Sequence, residues 1–418
     1  MIRSVKGTHD ILPDQAWHWR KIESALHNFM QKYGYQEIRT PAFEKTELFA
    51  RGIGQDTDIV SKEMYSWIDQ GGENLTLKPE LTAPVVRAFI QHNLGSQSTV
   101  NRLYYMDALF RRERPQKGRT RQFHQFGAEV FGAEHPEADA EIIAMSYNFF
   151  KELGVADLTL KLNSIGSEEC RQNFRNELHN YLKPFLSDLT ETSQTRFKKN
   201  PLRILDTKIE YEKDIIKNAP RIDNFLTNDD KSHFEEVKSL LSAMTIPFAI
   251  DPQMVRGLDY YTRTTYEITS NALGAQDALC GGGRYDKLVE TLGGKSTPAV
   301  GFAAGIERLL LALESKTSNL NHKRNQIFII GIVEDARSVC LILAQELRSQ
   351  GFSISTDLLR RSLKSQLREV NRNSARFAII IGAEELTSNT VQLKDMETGE
   401  QTTIIKNKLI EYLTDLEF

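Results

Sequence analysis

The stretch Phe110-Arg111-Arg112-Glu113-Arg114-Pro115-Gln116-Lys117-Gly118-Arg119-Thr120-Arg121-Gln122-Phe123-His124-Gln125-Phe126-Gly127-Ala128-Glu129-Val130-Phe131-Gly132 has two textures. Residues 110–121 hold six basic side chains and one acid, Glu113. From Arg121 onward the chain alternates, with Phe123, Gln125 and Gly127 on one side and His124, Phe126 and Ala128 on the other. Alternation of period two predicts a strand. Residues 103–110, Leu-Tyr-Tyr-Met-Asp-Ala-Leu-Phe, predict a second one, and two strands joined by a charged loop predict an antiparallel hairpin. Arg111 would then point to one sheet face, where its planar fork can clamp a phosphate or carboxylate. The loop tip, turned by Gly118, could lie along a phosphate backbone. A solvated charged turn has the same spacing. Gln125 and Glu129, of one parity on the returning strand, favour the floor of a binding site over a core.

Working outward, Pro13-Asp14 starts a helix in which Trp17, Ile22, Leu26, Phe29, Met30 and Tyr33 recur at helical spacing until Gly34. Residues 75–79 alternate like a strand, and 81–90 predict a helix with Thr82 and Pro84 in its first turn. From about 168 to 245 charged and amide residues dominate, which predicts a small, mostly helical insertion, a weaker fold on its own. Strand pattern returns at 260–268, then a glycine-rich turn at Gly281-Gly282-Gly283, then an apolar run at 299–313. Residues 314–325 predict a linker. Beyond it, strands at 327–333, 352–356 and 377–381 alternate with helices at 336–349 and 362–371, a compact α/β domain at 326–418. Arg360, Lys364, Arg368, Arg372 and Arg376 fall at four-residue steps, and the first three would line one helix face.

With 418 residues, the chain is long enough for about two or three domains. Apolar residues are 40% and charged residues 26%, a balance that builds a core and excludes wholesale disorder. Lys+Arg 53 against Asp+Glu 56 leaves a net charge of -3, so a nucleic-acid partner would have to be met by local basic patches. Cys170, Cys280 and Cys340 are far apart, which excludes a disulfide framework and a cysteine-rich metal cluster. No apolar run is long enough to span a bilayer, and the first residues lead into Gly7 without a hydrophobic segment. A cytoplasmic location is the expectation.

The segment 110–132 resembles the second signature motif of class II aminoacyl-tRNA synthetases, in its histidyl version. Gly7-Thr8-His9-Asp10-Ile11-Leu12-Pro13 resembles that family's opening. Val255-Arg256-Gly257-Leu258-Asp259-Tyr260-Tyr261-Thr262-Arg263-Thr264 resembles a block specific to the histidine branch. Gly301-Phe302-Ala303-Ala304-Gly305-Ile306-Glu307-Arg308-Leu309 resembles the third class motif. The resemblance spans essentially the whole chain. It implies a catalytic domain over 1–325, built on an antiparallel sheet with flanking helices, interrupted by the insertion and followed by an anticodon-binding domain over 326–418.

It also implies a reaction: ATP and L-histidine give histidyl-adenylate and pyrophosphate, and the histidyl group then passes to the 3′ end of its cognate tRNA. Arg111 would contact the α-phosphate and the attacking carboxylate. Arg308, helped by Arg119, would hold the β/γ end of a bent ATP. Arg256 would reach the α-phosphate from the other side, a fixed cation where related enzymes use a metal. No metal bound by the protein alone is implied, although Mg2+ would accompany the phosphates. Glu80, Thr82 and Gln125 match the set that takes the amino group of histidine. Glu129 and Tyr261 match the pair for the imidazole, with Tyr260 beside them. Arg114 and Gln116 at the loop tip, and Arg360, Lys364 and Arg368 in the last domain, would contact tRNA. A homodimer is implied because the family's first motif forms the subunit interface.

Simpler roles remain open for several of these residues. Thr82 could cap a helix, Tyr261 could be a core aromatic, Arg308 could pair with Glu307 on the surface, and the glycine run could be a tight turn. Lys78 and Leu81 depart from the family, which has arginine and glycine at these places; leucine would crowd the pocket rim. A regulator or RNA-binding scaffold on a silent synthetase fold is the alternative from another class.

Overall fold

Pro13 opens helix α1 (Pro13–Lys32) in the computed structural model of the protein, at a position where its missing N–H is no loss. Ile22, Leu26, Phe29 and Met30 form its buried stripe, and Gly34 turns the chain after it at φ +73°. The structure describes all residues except Asp56, Lys117, Asp206, Lys208, Val255, Arg256, Ala275, Gln276, 318–326 and 417–418, and only the backbone of 314–317. Arg256 and most of the expected linker therefore lie outside the described residues. The chain divides into two units, Met1–Ser318 and Asn319–Phe418.

In the first unit, β1 (Gln36–Glu37) precedes a three-stranded sheet made of β2 (Phe43–Lys45), β3 (Tyr65–Ile68) and β4 (Asn74–Leu77). Between β2 and β3 lies α2 (Thr46–Ile53), and α3 (Thr82–Gln91) follows β4. The hairpin is β5 (Asn101–Phe110) against β6 (Gln122–Phe131), in register from Asn101 opposite Phe131 to Phe110 opposite Gln122. Next come α4 (Pro136–Glu152), β7 (Leu158–Ser164) and the helices α5 (Glu168–Leu182), α6 (Glu191–Lys199), α7 (Glu210–Lys217) and α8 (Asn228–Ala243). The chain then returns through β8 (Ala249–Ile250), β9 (Thr262–Ser270), β10 (Ala278–Arg284), α9 (Leu288–Thr291), β11 (Ala299–Gly305) and α10 (Ile306–Thr317). The main sheet runs β1-β5-β6-β11-β10-β9-β7-β8. Its central pairs are antiparallel, and its two edge pairs are parallel.

Period-two alternation gives the sheet two different faces. Tyr104, Phe126, Ala128, Val130, Val300, Phe302 and Ala304 pack with α1, α4, α8 and α10 in the largest core. The other face of β6 and β11 carries Gln125, Gly127, Glu129, Gly301, Ala303 and Gly305 in matched register.

Three expectations change. The glycine run is not a turn: Gly281, Gly282 and Gly283 are interior residues of β10, held between β9 and β11. A Cβ on Gly282 would come within 2.7 Å of Phe302 Cβ, so the glycines let neighbouring strands close up. The insertion also splits. Residues from α5 to α7 and the turns around them build their own core of Cys170, Phe174, Leu178, Leu182, Leu189, Phe197, Ile204, Ile216 and Ile222. By contrast, α8 sends Phe234, Val237 and Leu241 into the main core. Finally, α10 runs to Thr317, so the expected linker begins inside a helix.

The second unit is a five-stranded sheet in the order β13-β12-β14-β15-β16. Its elements are β12 (Ile327–Gly331), α11 (Ala336–Ser349), β13 (Ile354–Thr356), α12 (Leu363–Arg372), β14 (Phe377–Ile381), α13 (Ala383–Ser388), β15 (Thr390–Asp395), β16 (Gln401–Ile405) and α14 (Leu409–Asp415). The parallel strands β12 and β14 are apolar throughout because both faces are covered. One face packs on α11 and α14, and the other on Val370 of α12. Among the described residues no helix is long and apolar enough to cross a membrane.

Candidate active site

The face of β6 and β11 that carries Gln125 and Glu129 floors a cavity of ≈ 410 Å³ in the first unit, a size suited to a small ligand. Gly301, Ala303 and Gly305 keep this floor low beside Glu129, Gly127 and Gln125. A Cβ on Gly301 would overlap the Glu129 carboxylate. Nine of the residues singled out from the sequence line this one cavity: Glu80, Thr82, Arg111, Arg119, Gln125, Glu129, Tyr260, Tyr261 and Arg308. They arrive from five places: the start of α3, the hairpin loop, β6, the approach to β9 and the first turn of α10.

One end of the cavity is built from buried acceptors and hydroxyls. Glu80 accepts the backbone N–H groups of Thr82 (2.8 Å) and Ala83 (2.9 Å). It is therefore Glu80, not Thr82, that caps α3. Thr82, the first helical residue, is free to donate its hydroxyl to Glu129 at 2.8 Å. Burial raises the Glu80 carboxyl above its ordinary range, against the pull of its two backbone donors. Glu129 is 1% exposed and accepts from Thr82, from Tyr105 at 2.8 Å and from Tyr285. Burial dominates there too and pushes its carboxyl up to about 7, with the three hydroxyls opposing the rise. Tyr105 and Tyr285 are themselves raised by burial and by Glu129, so they remain donors at neutral pH. Tyr260 stacks edge-on to Tyr285, with ring centroids 5.6 Å apart.

The other end is cationic. Arg111 lies just past β5, its Nε donating to the Pro79 carbonyl at 2.8 Å and its guanidinium 5.2 Å from the centroid of Phe123. Arg308 donates to the Ala278 carbonyl at 2.8 Å. Burial, and after it the nearby Arg119, lowers its pKa from the ordinary value. Glu307 accepts the His124 backbone N–H at 3.0 Å and lies 2.9 Å from its Nδ1. Glu113 stands between the arginines, 3.2 Å from Arg119 and 3.8 Å from Arg111. Guanidiniums gathered in a half-buried cleft are a receptor for a polyanion.

Other expected residues fall elsewhere. Arg114 and Gln116 are exposed on the hairpin loop, outside the cavity lining. In the second unit Arg360 does not share a helix face with Lys364 and Arg368. It precedes α12 in a left-handed turn, at φ +54°. Asp357 pins that turn by accepting the Arg361 N–H at 2.7 Å. Lys364, Arg368 and Arg372 are exposed along α12, while Glu369 pairs with Arg361 at 2.8 Å. Lys78 is buried, pairs with Asp107 at 2.5 Å and is not part of the cavity lining. Leu81 adopts φ −112°, a conformation that needs no glycine, and packs among Val85, Val86 and Tyr105.

Sequence reasoning did not assign roles to Tyr105 and Tyr285. A signal for Tyr105 existed: it shares parity with Leu103, which lies opposite Glu129, and it lies opposite Gly127. That glycine leaves room for the ring, since a Cβ there would sit 2.6 Å from the Tyr105 hydroxyl. Among the described residues no three carboxylate, imidazole or thiol groups converge as a metal cage. Glu113 and Glu267 both line the cavity, carboxylates of a kind that suits Mg2+ arriving on phosphates.

Comparison with known proteins fits this geometry. The family description "Histidyl-tRNA synthetase" matches residues 7–309, and "Anticodon binding domain" matches 326–416. The histidine–tRNA ligase of Caldanaerobacter subterraneus subsp. tengcongensis is 45% identical over 410 residues, covering 98% of each chain. That of Chloroherpeton thalassium is 48% identical over 403 residues, covering 96% of this chain and 94% of its own. Among solved structures, apo histidyl-tRNA synthetase from S. aureus is 38% identical, covers 99% of both chains and superposes with a TM-score of 0.84.

Proposed function

Because the chain belongs to the histidyl-tRNA synthetase family, within the class II aminoacyl-tRNA synthetases, and is an enzyme of the histidine–tRNA ligase type, we propose that it forms histidyl-adenylate from L-histidine and ATP and passes the histidyl group to the 3′ end of its tRNA. The observation that carries this is the two-ended cavity, with acceptors and hydroxyls at one end and arginines at the other. Glu80, Thr82 and Gln125 would take the ammonium group. Glu129 and Tyr261 would take the imidazole, beside Tyr260. A hydrogen-bonding site of this kind rejects apolar isosteres by leaving buried groups unpaired.

The histidine carboxylate then attacks the α-phosphorus, an O–P bond forms, and the bond to pyrophosphate breaks. Negative charge builds on the phosphate oxygens, where Arg111 and, by family resemblance, Arg256 would stabilise it. Arg119 and Arg308 would hold the departing end. Glu113, which pairs with Arg119 and Arg111, would release them, so ATP would exchange a carboxylate for its phosphates. Mg2+ bound to ATP would neutralise further charge, with Glu113 and Glu267 within the same cavity. The alternative of a silent scaffold loses ground, since Arg111, Arg119 and Arg308 all face the cavity.

Residues 326–416 would read the anticodon, with Lys364, Arg368 and the turn at Arg360 meeting phosphates and Arg114 and Gln116 meeting the acceptor end. Exposed Phe43, Trp67 and Ile68 give a second copy of the chain an apolar surface to cover in a homodimer. Three free cysteines are in keeping with the cytoplasm. The test is histidine-dependent ATP–pyrophosphate exchange. Exchange that needs histidine supports the proposal, and none at saturating histidine overturns it.

A further inference from the structure

The segment leading into β9 is held from outside the catalytic sheet. Arg171, on α5 of the insertion, donates from one Nη to the carbonyl of Tyr261 at 2.7 Å and to that of Asp259 at 3.2 Å. Its other Nη pairs with Glu168, one turn back on the same helix. The Asp259 carboxylate accepts from Asn200 and Arg203 of the insertion, each at 3.3 Å. On the catalytic side the Asp259 N–H donates to the carbonyl of Ile53 at 3.2 Å, at the end of α2. Gly54 follows at φ +104°, and a Cβ there would sit 2.9 Å from the Asp259 carboxylate. Residues 259–261 are thus suspended between α2 and the insertion. Tyr261, 5% exposed, lines both the large cavity and a smaller one of ≈ 60 Å³ in this seam.

A guanidinium that bonds two carbonyls two residues apart fixes the path of the chain between them. Tyr261 is the last residue before β9, so that path sets where its side chain enters the cavity. The residues that supply this grip belong to the module with its own core. Its interior carries a satisfied polar hub, Glu212, which accepts from Thr190, Ser193 and Thr207. The module is therefore an ordered body able to hold a position, not a loose appendage.

We infer that Arg171 is a positioning residue for histidine recognition: from the insertion, it fixes the wall of the amino-acid pocket through the backbone of Asp259 and Tyr261. This rests on the proposed role of Tyr261 as a histidine contact. In the full-length chain, Arg171→Met removes the donors and keeps most of the stem. In pyrophosphate exchange the histidine KM should rise about tenfold, the loss expected for a buried charged donor, with the ATP KM unchanged. Arg171→Lys, with a point charge that cannot bridge both carbonyls, should fall between wild type and the Met variant. Combining Arg171→Met with Tyr261→Phe should cost less than the product of the single effects, because both act on one wall. An unchanged histidine KM, equal rises for both substrates, or full additivity overturns the inference. If the Met variant does not fold, Arg171→Lys decides, a wild-type histidine KM counting against. Wild-type protein without histidine-dependent exchange would remove the parent proposal and this inference together. Wild-type exchange with an indifferent Arg171 removes this inference alone.

Discussion

At Glu129 the cost of burial exceeds what Tyr285, Tyr105 and Thr82 return, so the carboxyl titrates at about 7 instead of 4.5. The sign follows from proton uptake. Between about 4.5 and 7 the folded chain holds a proton there that the unfolded chain has lost, so the contribution of this group to stability falls as pH rises through that window. A ligand that donates to the carboxylate relieves the penalty, so histidine should raise the melting temperature more at pH 8 than at pH 6. The proposed imidazole contact would also need the ionised form. Glu129→Gln should therefore raise the histidine KM strongly and the ATP KM little, and the ratio of variant to wild-type KM should shrink as pH falls below about 7. Taking that ratio cancels the titration of the substrate's own ring. A ratio flat from pH 6 to 8 would separate Glu129 from the imidazole. The residues that line the cavity were legible because their types suit the proposed chemistry: arginine for phosphate, carboxylate for ammonium. The residues that hold them were not, because Tyr105, Tyr285 and Arg171 act through register or across a module boundary. Pairing of that kind appears only once strands and helices are placed.

At the scale of the element, β10 and β11 show why small residues were misread. Glycine clusters usually punctuate turns, and nothing local says that Gly281, Gly282 and Gly283 instead lie between two strands. Only their neighbours do. Gly282 lacks room because Phe302 packs against it, and Gly301 lacks room because Glu129 occupies its place on the floor. The two sites should separate stability from recognition. Gly282→Ala overpacks strands of the central sheet and should cost about 1–3 kcal/mol in denaturant unfolding. Gly301→Ala should displace the Glu129 carboxylate, raising the histidine KM at least as much as Glu129→Gln does. A Gly301→Ala enzyme with normal histidine KM would mean the floor is not where histidine rests. The same limit explains α8. Its polar composition looks like the rest of the insertion, yet Phe234, Val237 and Leu241 join the main core. The long alternating hairpin and the apolar strands of the second unit were legible because their periodicity matches the cores they pack into.

At the scale of the whole molecule, two units with separate cores allow the two proposed steps to be tested apart. Every described member of the two-ended cavity lies in Met1–Ser318. The second unit closes its own core with Ile327, Ile329, Leu343, Leu347, Ile379 and Leu409. A fragment ending at Leu320 should therefore retain histidine-dependent pyrophosphate exchange, since Glu80, Arg111, Glu129, Arg256 and Arg308 all precede the cut. Its charging of tRNA should fall mainly through a higher tRNA KM, because unpaired anticodon bases are read by stacking and edge hydrogen bonds. In the full chain, Lys364→Ala and Arg368→Ala should each weaken tRNA binding and flatten its salt dependence, as loss of a phosphate contact does. Assembly is the competing cause: if the second unit also held a dimer together, its removal would damage exchange and charging alike. Sedimentation of the fragment separates these outcomes. A dimeric fragment with intact exchange and poor charging assigns tRNA reading to the second unit. A dimeric fragment that charges tRNA with unchanged KM excludes it.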